Sequence, residues 1–310
     1  METQTLQKKY SWIGEDRIAY YDEGPGDAPT VLFVHGFPTS CYLWRLVLHS
    51  LSENWRCIAP DLVGLGDSWG PEDTDFSLHA QTKKIIRLVR HLEVDPVVVV
   101  GHDIGGIVAQ IAAVRHTRFV RGFVLVNSAC YDNWPVGPVR HLRALARNPV
   151  IYKMLCKTSM IETLARSQHG FRKGVRHPGS ISDKQINEYL RPFLLSDSAK
   201  KRFRQFLLSL SSMESREIAH EFHRLNKHAL LIWALDDPYF PLIWGERLAT
   251  DIPNSTLNTI SDCGHFVPEE RPQRLSAMIE AYLYRVFEIP FGRISPVNTN
   301  SAGPNITTPE

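Results

Sequence analysis

The chain has 310 residues, 43% hydrophobic and 22% charged, with 35 Lys and Arg against 33 Asp and Glu for a formal net charge of +2. Those values exclude wholesale disorder, a collagen-like repeat and a small disulfide scaffold, and the near-neutral balance argues against a generic nucleic-acid binder. A chain this long buries about 75% of its unfolded surface and needs no disulfide or metal staple.

The first residues, up to Trp12, lack the apolar core of a secretory signal, and no run approaches the roughly 18 apolar residues of a membrane span. Residues 17–22 and 30–34 read as strands, connected through a turn at Gly24-Pro25-Gly26. Residues 56–60 form another short strand. Residues 78–92 have helical spacing, with Ile85, Ile86, Val89 and Leu92 on one face. Residues 96–100 (PVVVV) are a β-branched run of the kind found in strands buried on both faces. A helix over 107–113 and a strand over 120–126 follow. This alternation predicts an α/β fold, a mostly parallel sheet with helices on both faces.

The alternation stops near Tyr131. From there to about residue 222 the pattern is helical, broken at Pro149, Gly170, Pro178-Gly179 and Pro192. Strands resume at 229–234 and 255–260, and an amphipathic helix runs over 272–287. The predicted organisation is a core of residues 1–130 and 226–289 with a helical insertion at 131–225. Residues 290–310 are too polar and too rich in Pro and Gly to pack, and are expected to be a disordered tail. The acceptor-like triplet at Asn305 in that tail is taken as chance. Five scattered cysteines, never in a CxxC pair, read as reduced, mostly buried thiols and imply a cytoplasmic protein.

Four motifs carry chemistry. Gly101-His102-Asp103-Ile104-Gly105-Gly106 follows the PVVVV strand and opens a helix. It has the form of a nucleophile elbow, with Asp103 where esterases carry Ser. His35-Gly36-Phe37-Pro38 follows the strand at 30–34. In such an architecture the Phe37 and Ile104 amides would form an oxyanion hole. The strand at 229–234 runs into Asp236-Asp237-Pro238. Either acid could orient a histidine, with Asp237 favoured and the other left as a helix cap. His265, on a Gly-containing loop after the last strand, is the expected general base. The order nucleophile, acid, His is that of the α/β-hydrolase triad.

With these motifs in register, residues 8–288 resemble the epoxide hydrolase and haloalkane dehalogenase group of the α/β-hydrolase fold. The resemblance rests on HGFPTSCYLWR, PDLVGLGDS, GHDIGG, the ALDDP strand end and DCGHFVPEERP. It implies that the helical insertion is a cap domain placed after the sixth strand. Asp103 would then form an alkyl ester, which water activated by His265 hydrolyses. Epoxide hydrolases of this group carry two cap tyrosines that donate to the ring oxygen. Tyr152 and Tyr189 are the candidates, with Tyr131 at the cap entrance. The later of the two family positions, near RFRQFLLSLSS, offers no tyrosine. Dehalogenases place Trp after the nucleophile and Asn or Trp after the HG, where this chain has Ile104 and Phe37. The haloacetate group's Arg near the nucleophile is missing around Ile107. Trp134 and His35 complete the substrate-binding candidates.

The expected function is therefore an Asp-nucleophile hydrolase, first of epoxides, with haloalkane or haloacid dehalogenation as the alternative. A binding or cofactor-free rearrangement protein on the same fold is the other alternative. No metal-ligand spacing, Rossmann fingerprint or P-loop occurs, so no cofactor is expected. Between Arg140 and Arg204 there are 15 Lys and Arg and four Asp and Glu, a local net of +11. That charge is either a set of solvated helix faces or a surface that steers an anionic or carrier-bound small molecule. The sequence does not fix the oligomeric state.

Overall fold

A computed structural model describes residues 6–290 apart from 95, 158 and 159. The tail from 291 and its acceptor-like triplet lie outside the described residues. Eight strands form one sheet: β1 (Lys9–Ile13), β2 (Asp16–Glu23), β3 (Thr30–Val34), β4 (Arg56–Pro60), β5 (Val97–Asp103), β6 (Val120–Ser128), β7 (His228–Ala234) and β8 (Ser255–Ile260). Their order is β1-β2-β4-β3-β5-β6-β7-β8. The β1/β2 and β2/β4 ladders are antiparallel, and every other ladder is parallel.

The valine run explains why β5 is central. Side chains alternate across a strand: Val97 and Val99 join one buried cluster, Val98 and Val100 the other. The first cluster also takes Ile85 and Val89 of α2 (Leu78–His91) and Ile107 and Ile111 of α3 (Ile104–Arg115). The second takes Val47 and Leu51 of helix Arg45–Leu51 and Leu275 and Ile279 of helix Pro272–Phe287. In chain order these are α1 and α12. The sheet is thus covered on both faces, as a mostly parallel sheet requires.

Between Ser128 and His228 the described residues contain helices and no strand. They are α4 (Gly137–Arg147), α5 (Pro149–Lys157), α6 (Met160–Arg166), α7 (Asp183–Leu194), α8 (Asp197–Ser209) and α9 (Met213–Ala219). Three core helices follow β7: α10 (Ile243–Asp251), the short α11 (Val267–Glu270) and α12. This cap seats on the core through rings. Phe37 stacks on Phe203 and Phe206 of α8, with centroids 5.6 and 6.2 Å apart. It is also pinned by two buried carboxylates of α11. Glu269 receives both terminal nitrogens of Arg45 at 2.7 Å, Gln185 Nε2 at 2.7 Å and the Tyr189 hydroxyl. Glu270 accepts from the amides of Gly264, Arg176 and His177.

Candidate active site

Asp103 stands at the sharp junction of β5 and α3, with φ +54°. Non-glycine residues rarely adopt this region, and such strain persists where the surroundings over-determine it. Here the surroundings are backbone. A Cβ at position 101 would lie 2.2 Å from the Gly105 carbonyl oxygen, and one at 105 would lie 2.2 Å from that of Val34. Only glycine lets α3 start this close to β3. The turn lifts the Asp103 carboxylate above the strand ends, where the Phe37 amide donates to Oδ1 at 2.9 Å and the Ile104 amide also binds the carboxylate.

The Asp103 Oδ2 lies 3.7 Å from His265 Nε2, too far for a direct hydrogen bond. On the other side of the ring, His265 Nδ1 is 2.9 Å from Asp237 Oδ2. Since Asp237 is an acceptor, Nδ1 carries the proton and Nε2 keeps its lone pair for the cavity. Asp237 is held by three further donors: the Tyr239 amide at 2.7 Å, the Phe240 amide at 3.1 Å and Asn127 Nδ2. Asn127 is fixed in turn by the Ala234 amide, which donates to its Oδ1 at 3.0 Å. Asp236 points outward, 3.8 Å from Arg176 Nε, and does not meet His265. Nothing in the sequence singled out Asn127, because only the β6/β7 pairing brings it beside residue 237.

Burial dominates the electrostatics. It pushes the Asp103 carboxyl up to about 6, against the opposing pull of His265 and of the Phe37 and Ile104 amides. Burial also disfavours charge on His265, but the Asp237 carboxylate and its hydrogen bond, helped by Asp103, outweigh it, and the imidazole pKa is raised. His102 is held neutral by burial and by its neighbour His265; its Nε2 is 3.0 Å from the His265 carbonyl and anchors that loop.

The two groups face a cavity of about 180 Å³ under the cap. That is well beyond the 10–15 Å³ or so needed to hold one water. Its wall is almost wholly apolar, built from residues such as Leu142, Phe193, Phe203 and Phe266, and contains no Lys or Arg. Besides His265 Nε2 and the His169 ring, two donors in it have no hydrogen-bond partner among the described residues: Nε1 of Trp134, which is buried, and the hydroxyl of Tyr239. Burial, together with the Asp237 and Asp103 charges, pushes the Tyr239 phenol up. Tyr239 was not among the sequence candidates. It sits two residues after Asp237, in what reads as an ordinary loop.

Tyr189 and His35 are corrected as substrate contacts, and Tyr152 is corrected only as a hydroxyl donor. The Tyr152 ring lines the cavity, but its hydroxyl donates to the Lys200 carbonyl at 2.9 Å. Tyr189 is fully buried away from the cavity, with its hydroxyl on Glu269 and its ring stacked on Phe171. His35 is buried between loops. Its Nε2 accepts from the Leu62 amide at 3.0 Å, and its Nδ1 donates to the Gly36 carbonyl at 2.8 Å. Tyr131, at the cap entrance, donates to Asp251 at 2.6 Å and is not in the cavity wall. A structural tyrosine makes a specific prediction. Tyr189→Phe leaves buried Glu269 without one donor, a loss of about 1.5–3 kcal/mol for a hydrogen bond to a charged group. Thermal denaturation is expected to show a midpoint lower by several degrees, with turnover unchanged at a temperature where the variant is folded.

Comparison with known proteins finds epoxide hydrolases and haloalkane dehalogenases among the relatives, together with a cis-3-alkyl-4-alkyloxetan-2-one decarboxylase of Xanthomonas campestris at 26% identity over 86% of this chain and 92% of that one. Residues 31–278 match the alpha/beta hydrolase family. The chain is 30% identical to a soluble epoxide hydrolase of Corynebacterium sp., over 83% of this chain and 90% of that one. It is 29% identical to haloalkane dehalogenase 2 of Mycobacterium tuberculosis, over 85% and 90% of the two chains. The solved structure of epoxide hydrolase CorEH without ligand superposes with a TM-score of 0.76 at 25% identity, covering 91% of this chain and 100% of that chain.

Proposed function

The chain belongs to the alpha/beta hydrolase family, and from that premise we propose that it hydrolyses epoxides through an ester formed on Asp103. The observation that carries this reading is the asymmetry of the Asp103 carboxylate. The Phe37 amide holds Oδ1 at 2.9 Å, the Ile104 amide also binds the carboxylate, and Oδ2 is the oxygen turned to His265, 3.7 Å from its Nε2. Oδ2 attacks a ring carbon, the ring C–O bond breaks, and the oxygen leaves as an alkoxide that takes a proton from Tyr239. A water then gives a proton to His265 Nε2 and attacks Cγ of Asp103. The negative charge gathers on Oδ1, which already accepts from the Phe37 amide, with the Ile104 amide as the second donor to the group. Collapse expels the diol with the old Oδ2, the His265 proton goes to it, and the proton left on the regenerated Asp103 carboxyl passes through water to the Tyr239 phenolate, which restores both groups. Asp237 and Asn127 act as positioning residues that hold the imidazole tautomer.

The leaving group separates the readings. An alkoxide needs a proton or a strong donor, and Tyr239 is the uncommitted hydroxyl in the wall. The raised phenol pKa keeps that proton in place at neutral pH. The Corynebacterium relative supports the same choice. The unpartnered indole N–H of Trp134 favours a second reading, alkyl halide hydrolysis, because a halide needs a hydrogen bond and no proton. Assays with styrene oxide and 1-bromobutane test the pair. Tyr239→Phe is expected to lower epoxide turnover by about 10²–10³, the usual cost of one donor to developing charge, with little effect on bromide release. Intact epoxide turnover in Tyr239→Phe, with bromide release lost in Trp134→Phe, would install the dehalogenase reading instead.

Ester formation needs ionised Asp103. With its pKa raised to about 6, the single-turnover rate of alkylation is expected to fall about tenfold between pH 8 and pH 5. An ordinary solvated aspartate would stay ionised over that range. A flat profile from pH 8 to pH 5, measured by rapid quench, would contradict the assignment.

A further inference from the structure

The outer face of α4, α5 and α6 is apolar where a surface should be polar. Val150 is 68% exposed, and Met160 and Leu164 are each 55% exposed; Leu145 and Ile151 are also exposed. Of the nine residues of α5, Tyr152 alone is buried. Met160 and Leu164 are four apart and share one face of α6. Leu164 also belongs to the cavity wall, so the apolar surface is continuous with the cavity.

The same face is basic. The three helices present Arg140, Arg147, Lys153, Lys157 and Arg166 against a single acid, Glu162, while Arg143 turns inward with its Nε buried. Arg166 lies 3.7 Å from Glu162, while Arg147, Lys153 and Lys157 have no ion-pair partner among the described residues. Val150, Lys153 and Lys157 follow i, i+3 and i+7 spacing, which interleaves apolar and cationic side chains on one side of α5. None of this charge reaches the cavity, whose wall has no Lys or Arg. A role in holding an anionic substrate inside is therefore unsupported.

We infer that this face docks on an anionic lipid surface, and that the cavity takes lipophilic substrate from it through the mouth beside Leu164. Interleaved aliphatic and Lys or Arg side chains are the signature of a helix lying in a membrane interface. Apolar groups enter the headgroup boundary while cations meet phosphate oxygens. No membrane-crossing helix is needed, and none occurs among the described residues. A second copy of this chain fits the face poorly, since two such surfaces would set five cations against five. The docking surface stands on its own geometry; only the nature of what enters the cavity rests on the proposed reaction.

Vesicle co-sedimentation tests it without an activity assay. The full chain is expected to pellet with phosphatidylcholine–phosphatidylglycerol vesicles, to be released by salt, and to stay in solution with phosphatidylcholine alone. The double variants Lys153→Glu/Lys157→Glu and Val150→Ser/Ile151→Ser are each expected to weaken partitioning by about tenfold or more. Their thermal midpoints should be unchanged, since these side chains are exposed. Equal binding to both vesicle types, no binding to either, or full binding by both double variants overturns the proposal. So does a dimer in sedimentation velocity that the same substitutions dissolve.

Discussion

Replacing His265 by Gln is expected to stop the reaction halfway and leave an alkyl ester on Asp103. The first step needs only an ionised carboxylate and an open path to carbon, and both survive the substitution. The second step needs a base for water beside the ester, and Nε2 is the base placed there, 3.7 Å from Asp103; His169, the other histidine of the wall, makes no ion-pair contact with Asp103 among the described residues. His102 is neutral and adjacent, with ring centroids 4.6 Å apart. Its Nε2, however, is committed to the His265 carbonyl. General-base loss costs about 10²–10⁴ in rate, so the ester outlives mixing with styrene oxide. Intact-mass spectrometry should then show the protein heavier by one whole epoxide, mapped by proteolysis to Asp103. A variant that turns over at the parent rate, or is inert without an adduct, would refute the assignment of His265.

Asp237→Asn is expected to cost about 10⁴ in steady-state turnover, the scale seen when a triad's orienting acid becomes neutral. The carboxylate accepts from His265 Nδ1–H at 2.9 Å. An amide can present its NH₂ there instead and drive the proton to Nε2, which leaves no lone pair facing the cavity. Asp236→Asn should cost almost nothing, because that side chain is exposed and faces Arg176. A structural role would move only stability, so the pH profile is the deciding readout. The charge of Asp237 raises the His265 pKa. Its loss must therefore shift the ionisation seen in hydrolysis of the ester to lower pH. Equal small effects at both positions, or an unshifted profile, would locate the orienting group elsewhere.

Much of this site can be read directly because its requirements are steric and local. Only glycines fit at 101 and 105, and a Val run followed by Gly-x-Asp-x-Gly leaves few alternatives to a tight strand–helix turn. The inner parallel strands β3 and β5 are legible for the same reason: burial on both faces demands unbroken apolar runs. β1 escapes such a reading, since four of its five residues are incompletely buried and it is too short to carry an apolar run. Asn127, Tyr239 and the Tyr189–Glu269 contact are hidden for a different reason. Each depends on elements brought together by the sheet or the cap, with 110 residues between Asn127 and Asp237 and 80 between Tyr189 and Glu269. A tyrosine on an amphipathic helix looks the same whether its hydroxyl meets substrate or a buried carboxylate.

Isotope transfer tests the central claim most directly, because only a covalent route passes water oxygen through the enzyme. One turnover of styrene oxide by excess enzyme in H₂¹⁸O should give a diol whose new oxygen is unlabelled, since it comes from Asp103 Oδ2. The peptide containing Asp103 should gain one ¹⁸O. Labelled diol in that first turnover, with an unlabelled Asp103 peptide, would mean that water attacks the substrate and that Asp103 is not the nucleophile.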